Sequence, residues 1–172
     1  MSGWWLVGVA LASEPTVTQL DDSWIEASVE VLASAERVSA VISDPAAVAA
    51  IDGTVEVTSR ADGSCYEATT LVPHMLGQVT YHTRCCPSAE SSWTSVLTGG
   101  QMREFDSTWS VEPTPGGSLI RYRLRSIPTA PVPQFLVNRS SVKAVQHTLS
   151  ALRDHFAAAP GQPGESSPSA EL

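Results

Sequence analysis

Apolar residues in the last third of the chain follow two different periods. They alternate with polar residues over 102–112 and again over 118–127, on either side of Pro115-Gly116-Gly117, which predicts two antiparallel strands joined by a tight turn. Beyond a proline-rich elbow they recur at the three- and four-residue spacing of one helix face. This apolar stripe consists of Phe135, Val142, Val145, Leu149, Leu152 and Phe156. We expect one long helix packed against a sheet, an arrangement that can enclose a cavity.

The same two periods describe the rest of the chain. Alternation at residues 24–32, 54–60, 64–72, 79–86 and 92–98 predicts five further strands. Two short helices are predicted between the first two of them: Ser34 is placed to cap a helix at 35–42, and Asp44-Pro45 supplies a cap and a first-turn proline for a helix at 45–51. Residues 13–23 are polar, and we expect them to be irregular. The predicted fold class is α+β.

Side-chain alternation also sets the pairing of the strands at 64–72 and 79–86. The register that keeps polar residues on one face places Glu67 opposite Arg84 and Cys65 opposite Cys86, whereas a slip of one residue would mix the two faces. We therefore expect a Cys65–Cys86 disulfide, with Cys85 as a buried free thiol on the other face. The alternative is three reduced cysteines that act as small hydrophobic residues.

Three arginines, Arg121, Arg123 and Arg125, alternate along one face of the last strand. Such a row suggests an anion site. However, the register set by the Pro-Gly-Gly turn puts Asp106 opposite Arg125 and places Glu104 on the same face. Acidic partners favour a solvent-exposed ladder of cross-strand ion pairs over an anion site.

Length, charge and composition narrow the class of protein. With 172 residues, 42% of them hydrophobic, the chain fits one globular domain, which we place at 24–158. A net charge of −8 argues against nucleic-acid binding, which needs a clustered basic face. Residues 1–12 combine an apolar run with Ala10-Leu11-Ala12, a small-x-small cleavage pattern, and predict a signal peptide and export to the periplasm or medium. The alternative is a hydrophobic segment that packs on the domain or anchors it. The Pro-, Gly- and Ser-rich residues 159–172 predict a disordered tail.

Motifs of metal or catalytic sites are missing from the sequence. The four histidines have no metal-ligand spacing, and no Gly-x-Ser-x-Gly elbow or glycine-rich phosphate loop occurs. The face of the sheet that should meet the helix also lacks a carboxylate for acid–base chemistry. We expect no metal site, no cofactor and no identifiable catalytic residue.

Aromatic side chains with polar tips share the face that should meet the helix, and such walls are typical of small-molecule pockets. An ordinary filled core is the alternative. Arg103 is predicted on this face, where a ligand carboxylate or hydroxyl could partner it, unless it lies near the sheet edge and reaches water. Met75 and Leu76 form an apolar loop that could gate the cavity, touch a membrane or partner, or pack on its own domain. The predicted ligand-binding residues are Tyr66, Tyr81, Arg103, Phe105, Trp109, Tyr122, Val145 and Leu149.

The order of these segments resembles a known superfamily. Residues 29–38 (VEVLASAERV) run into Val41-Ile42-Ser43-Asp44-Pro45, and Gly100-Gln101-Met102-Arg103-Glu104-Phe105 precedes Trp109. The strand at 119–124 and the proline elbow before the last helix extend the likeness over residues 24–157. The chain resembles the START-like (SRPBCC) superfamily and, within it, the polyketide cyclase/dehydrase-like proteins. Ser39 departs from the pattern, since such proteins often place a tryptophan there.

The resemblance implies the helix-grip fold, in which a curved antiparallel sheet of about seven strands holds a long C-terminal helix over a hydrophobic cavity. The family shares no universal catalytic residue. The sequence therefore predicts an exported protein that binds a hydrophobic small molecule or lipid, and such binding would allow it to carry the ligand through an aqueous compartment. One alternative is a cyclase or dehydratase that polarises the carbonyl of a polyketide-like substrate with Arg103 or Tyr122. Another is a cell-envelope interaction protein that uses the Met75-Leu76 loop.

Overall fold

A computed structural model of the protein describes residues 13–21, 23–74 and 77–158. The predicted signal peptide, the Met75-Leu76 loop tip and the predicted tail lie outside the described residues. The helices and strands are β1 (Thr16–Gln19), β2 (Trp24–Val31), α1 (Ala35–Ile42), α2 (Pro45–Asp52), β3 (Glu56–Asp62), β4 (Cys65–His74), β5 (Gly77–Ala89), β6 (Ser92–Gly100), β7 (Met102–Thr114), β8 (Gly117–Pro128) and α3 (Gln134–Ala158).

The strands form one antiparallel sheet in the order β1-β2-β8-β7-β6-β5-β4-β3. Two short helices follow β2 and a long helix ends the described chain, so the predicted α+β architecture is confirmed. The described sheet has eight strands where about seven were expected. The additional strand is β1, which lies in the segment predicted to be irregular and pairs with the edge of β2. Its four residues, TVTQ, are too few and too polar to show a period.

Local sequence explains where the short helices begin and end. Ser34 caps α1 by accepting a hydrogen bond from the backbone nitrogen of Arg37 at 3.4 Å. Asp44 caps α2 through the nitrogen of Ala46 at 3.0 Å, and it also accepts a bond of 2.6 Å from the hydroxyl of Ser59 on β3. The second bond ties the start of α2 to the sheet.

Both predicted registers are present. In the β4–β5 pair, Glu67 lies opposite Arg84. Cys65 and Cys86 form the predicted disulfide, and Cys85 is a buried free thiol. Alternation was sufficient to place these cysteines because the two strands run without a bulge from residue 66 to residue 85.

The β7–β8 pair places Asp106 opposite Arg125, as expected. The three arginines of β8 form ion pairs on the outer face of the sheet, with acidic partners on β7 and β2. The N–O distances are 3.1 Å for Arg121–Glu112, 3.9 Å for Arg123–Glu26 and 2.6 Å for Arg125–Glu104. The row is therefore a ladder of cross-strand ion pairs and not an anion site.

Helix α3 supplies the centre of the core, but the prediction that every residue of its apolar stripe is buried is wrong for one of them. Phe135 is 69% exposed, although the later stripe residues from Val145 onward are buried. The buried face continues upstream at a spacing of four through Asn138 to Gln134. The Gln134 amide nitrogen donates to the oxygen of Asn138 at 2.8 Å and to the carbonyl of Ser126 at 3.3 Å. Polar residues thus occupy the inward positions of the first turn, and Phe135 faces outward.

Candidate functional site

The inner face of the sheet is packed unevenly by the helices. Helix α3 makes its extensive contacts with β1, β2, β8 and α2. On the inner face of β5, β7 and β8, by contrast, Tyr81, Phe105 and Tyr122 keep part of their surface exposed. These rings, together with Tyr66 and Trp109, form what we call the inner-face cluster.

The rings of this cluster form two contacting pairs. Trp109 and Tyr122 are cross-strand partners on β7 and β8, and their ring centroids lie 3.9 Å apart in a stacked arrangement. The ring centroids of Tyr81 and Phe105 lie 4.9 Å apart, although their strands are separated by β6. Opposite Tyr81, β6 supplies Gly100, which has no side chain to fill the space. The glycine therefore lets the second pair form.

Small polar side chains lie beside the rings. Their hydroxyls bond to the acidic groups of the cluster: Thr70 to Tyr81, Ser107 to Tyr122, and Ser95 to the thiol of Cys85. We call these groups the hydroxyl layer, which comprises the buried residues Thr70, Thr83, Ser95 and Ser107. Sequence reasoning did not single them out as site residues. The sequence feature that could have identified them is the strand alternation, which places each of them on the inner face.

Burial raises the pKa values of the titratable groups in and beside the cluster. It raises the pKa of Tyr81 from 10.0 to about 12, and the hydrogen bond with Thr70 opposes part of this shift. Burial also raises the pKa of Tyr122, and the nearby Tyr81 raises it further. Burial is also the main cause that raises the pKa of the Cys85 thiol. At neutral pH the cluster therefore presents uncharged hydrogen-bond donors and apolar ring faces.

The structure divides the predicted ligand-binding residues into three groups. Tyr81, Phe105, Trp109 and Tyr122 lie together as the two pairs just described, and Tyr66 is half-buried on β4 opposite Cys85. The second group is fully packed in the hydrophobic core and comprises Val145 and Leu149; Trp109 of the first group also borders this core.

Arg103 forms the third group, and its predicted inward position is wrong. It lies in a bulge of β7, between the pairs Met102–Pro128 and Glu104–Ile127, and its side chain is exposed. The bulge interrupts the alternation on which the prediction depended. The alternative, an arginine that reaches water near the end of the sheet, fits this exposure.

The one carboxylate that is buried among the described residues, Asp52, serves structural contacts. Asp52, at the end of α2, accepts hydrogen bonds from Thr54 and from the hydroxyl of Thr148 on α3. It therefore joins the two helices and does not belong to the cluster. Within the described residues, no group of three or more His, Cys, Asp or Glu side chains could hold a metal ion.

An open groove of about 390 Å³ lies elsewhere, along β3, β4 and β5. Its polar side chains satisfy one another: Arg60 pairs with Glu67 at 3.1 Å, and Thr69 bonds to His82 at 2.9 Å. Partly exposed rings with neutral donors offer more to a ligand than these mutually paired groups. The inner-face cluster is the better candidate site.

Comparison with known proteins agrees with this geometry. Residues 24–158 match the family model described as polyketide cyclase/dehydrase and lipid transport. The chain belongs to this family. Its fold is therefore of the START-like, hydrophobic-ligand-binding type. No curated protein is similar enough in sequence to be counted as a relative.

Solved structures share the fold at low sequence identity. A Thermus thermophilus protein is 19% identical with a TM-score of 0.72, and a START superfamily protein from Mycobacterium smegmatis is 20% identical with a TM-score of 0.71. In both, the match covers 80% of this chain and 99% of the other. The Zhui aromatase/cyclase of a Streptomyces species is 12% identical with a TM-score of 0.69, over 79% of this chain and 94% of its own. At these identities the likeness shows the fold alone.

Proposed function

We propose that the inner-face cluster binds a hydrophobic small molecule or lipid. The observation that carries the proposal is the pair of aromatic contacts, Tyr81–Phe105 and Trp109–Tyr122, in which Tyr81, Phe105 and Tyr122 are only partly buried although they lie on the inner face. Elsewhere on that face the core is closed. An apolar ligand would cover the remaining ring surface, and the hydroxyl layer with its neutral phenols would meet one or two ligand oxygens.

Removal of apolar surface from water would supply most of the affinity. At about 25 cal/mol per Å², a ligand that removes roughly 250 Å² of apolar surface gains about 6 kcal/mol before the costs of association. Neutral donors suit a ligand carbonyl or hydroxyl better than a free carboxylate, because no cation within the cluster would balance its charge. The proposed ligand is therefore largely apolar and uncharged at the end held by the cluster.

We also propose that the protein acts outside the reducing cytoplasm and carries its ligand through an aqueous compartment. The Cys65–Cys86 disulfide supports this proposal, because such bonds persist in oxidising compartments. Of the helices that the structure describes, none is both long and apolar enough to cross a bilayer. The predicted signal peptide would provide export, and sequencing the amino terminus of the secreted protein tests whether it is removed.

Titration with an apolar fluorescent dye tests the binding proposal. We expect Phe105→Ala to weaken dye binding by about tenfold or more, since burial of a phenyl side chain contributes about 1.5–3 kcal/mol. Trp24→Ala is the matched control, because Trp24 is a half-buried aromatic residue on the outer face, 4.8 Å from the Arg123 guanidinium. Equal affinities of the two variants would contradict the proposal. So would wild-type protein that binds no dye and releases no lipid into organic solvent.

A second candidate function is cyclase or dehydratase activity on a polyketide-like substrate. The phenol of Tyr122 lies on the inner face, where its ring stacks on Trp109, and a protonated phenol there can donate a hydrogen bond that polarises a substrate carbonyl. The family description also includes such enzymes. We expect Tyr122→Phe to lower turnover of a poly-β-ketone substrate while the substrate still binds. Wild-type protein that binds the substrate without turnover would rule this activity out for that substrate.

The third sequence-based alternative, an interaction through Met75 and Leu76, stays a prediction because these residues lie outside the described chain. Pull-down from envelope extracts with Met75→Ser/Leu76→Ser beside wild type tests it. Capture that is identical for both proteins would count against the loop.

A further inference from the structure

The segment that leads into α3 presents an exposed, uncharged surface. Residues 126–138 contain no charged side chain, and within them Phe135 and Leu136 are 69% and 43% exposed. The elbow residues 129–131 and Pro133 are exposed as well. We call residues 129–136 the elbow surface. Phe135 is the most exposed large hydrophobic residue in the part of the chain that the structure describes.

Packing does not explain this exposure. The inward positions of the first helical turns are taken by Gln134 and Asn138, which bond to each other and to the carbonyl of Ser126. Phe135 and Leu136 therefore face water in a turn that is already fixed by polar contacts. Contiguous exposed apolar residues of this kind mark surfaces that meet a partner or a membrane.

Charge on α3 identifies the kind of partner. Although the net charge of the chain is −8, no Asp or Glu occurs between Glu112 and Asp154. Arg139 and Lys143 follow Phe135 at a spacing of four, so they share its face, and both are exposed. No ion pair among the described residues involves either of them, whereas all three arginines of β8 are paired. The apolar turn is thus flanked by two unpaired cations.

A third cation lies at the same end of the sheet. Arg103 is exposed in the bulge beside the Met102–Pro128 pair, and Pro128 immediately precedes the elbow surface. The neighbouring Glu104 is already paired with Arg125 at 2.6 Å. The elbow surface therefore has positive charge on two sides.

The elbow surface also adjoins the inner-face cluster. Phe105 pairs with Ser126 across β7 and β8, and the carbonyl of Ser126 accepts the hydrogen bond from Gln134, the residue before Phe135. A molecule that leaves the Tyr81–Phe105 end of the cluster would emerge beside the exposed residues of α3.

We propose that the elbow surface docks the protein on an anionic lipid surface. Phe135 and Leu136 enter the interface between headgroups, while Arg139 and Lys143 contact the lipid phosphates. An apolar edge flanked by basic side chains is the arrangement that binds such surfaces, and each cation near an anionic leaflet strengthens binding by about fivefold. Repulsion by the acidic remainder of the chain keeps the bound molecule oriented with this end toward the lipid. Docking does not require a ligand in the cluster, so the proposal goes beyond the proposed function.

Co-sedimentation of the full chain with vesicles tests it, using phosphatidylglycerol vesicles beside phosphatidylcholine vesicles. We expect Phe135→Ser/Leu136→Ser to lower partitioning onto both kinds of vesicle. We expect Arg139→Gln/Lys143→Gln to lower partitioning onto phosphatidylglycerol by about tenfold or more, and to leave the weak binding to phosphatidylcholine unchanged. All variants carry the same residues 1–12, so any contribution of that segment cancels.

Leu32→Ser/Val96→Ser is the matched control, because these residues are 43% and 44% exposed but lie away from the elbow. Wild-type binding that neither elbow variant lowers, or that the control lowers equally, would overturn the proposal. A self-association that Phe135→Ser/Leu136→Ser abolishes, without vesicle binding by wild type, would assign the surface to a second copy and also overturn it. Dye binding to the inner-face cluster is measured in the same samples. Wild-type protein that binds vesicles but no dye would contradict only the proposed function.

Discussion

The two halves of the sheet are built on the same alternation but filled with different side chains. In the first half, which consists of β1, β2 and β8 under α3, inward residues such as Ile25, Val29 and Ile120 are at most 2% exposed. The second half consists of β4 to β7, with Tyr122 of β8 at its border. Its inward residues include partly exposed rings and buried hydroxyl groups beside smaller buried apolar residues such as Ala68 and Val111. One half resembles the interior of any stable domain, and the other resembles the wall of a binding site.

This difference separates stability from binding within one sheet. Close-packed aliphatic residues contribute stability because their removal leaves a cavity. Rings that are only partly covered contribute less to folding but can still form contacts with a ligand. Substitutions in the first half should therefore change the free energy of unfolding, whereas those in the second should change affinity.

The largest effect is expected from Leu149→Ala, in the first half. Leu149 is fully buried in the core, so its truncation should lower the free energy of unfolding by about 3–5 kcal/mol. Phe105→Ala, in the second half, should cost clearly less because its ring is partly exposed. Urea unfolding followed by circular dichroism measures both. Equal losses of unfolding free energy in the two variants would show that the two halves do not differ in their contribution to stability.

The disulfide is a covalent stabilising element of the second half. Cys65 and Cys86 are 21 positions apart, and closing a loop of that length stabilises a fold by about 3 kcal/mol in the chain-entropy model. We expect Cys65→Ala/Cys86→Ala to lose about this amount in the same unfolding measurement. A count of three free thiols in the denatured, unreduced protein would instead show that the bond does not form.

A substitution at Gly100 should affect stability and binding together. Gly100 has a φ of +99°, and a Cβ there would lie 2.5 Å from the Cα of Tyr81. We expect Gly100→Ala to cost about 1–3 kcal/mol and to weaken dye binding by displacing Tyr81. Gly99→Ala is the control, since its Cβ would meet only the His82 ring at 3.7 Å. If the two variants behave alike, Gly100 does not position the Tyr81–Phe105 pair.

The last expected effect is a dependence of stability on pH that is confined to the alkaline range. Burial raises the pKa of Tyr81 from 10.0 to about 12, so between these values the folded chain binds more protons than the unfolded one. The contribution of Tyr81 is therefore complete below about pH 10 and is lost as the pH rises toward 12. The pKa of Tyr122 is raised in the same direction.

Unfolding at a series of alkaline pH values tests this dependence. The free energy of unfolding of wild type should fall more steeply than that of Tyr81→Phe/Tyr122→Phe. Cys85 is present in both proteins, so its own titration cancels. Parallel curves would show that the phenols are not buried as described.

Alternation in the sequence was enough to predict the parts of the sheet that are regular. The β4–β5 register, the Cys65–Cys86 bond and the outward row of arginines all depend on uninterrupted pairing. Arg103 was misplaced because a bulge, which leaves no clear mark in the sequence, breaks the alternation. Phe135 was misplaced because polar residues can complete a buried helix face when they bond to each other, as Gln134 and Asn138 do.

The aromatic residues of the candidate site were predicted from the sequence, but its polar residues were not. Tyr81, Phe105, Trp109 and Tyr122 were recognised from the sequence as aromatic residues on the inner face. The hydroxyl layer was missed because Thr and Ser are common on exposed faces of strands, and only the cross-strand contacts show which of them are buried. Val145 and Leu149 were assigned to the site, yet α3 packs them into the core.

The most direct test of the central claim is photo-crosslinking with an apolar, uncharged diazirine probe, followed by mass spectrometry of the labelled peptides. We expect labels on the inner-face cluster, at Tyr81 on β5, Phe105 on β7 and Tyr122 on β8, and competition by excess dye. Labels confined to the polar groove around Arg60 and His82, or spread over the surface without competition, would contradict it.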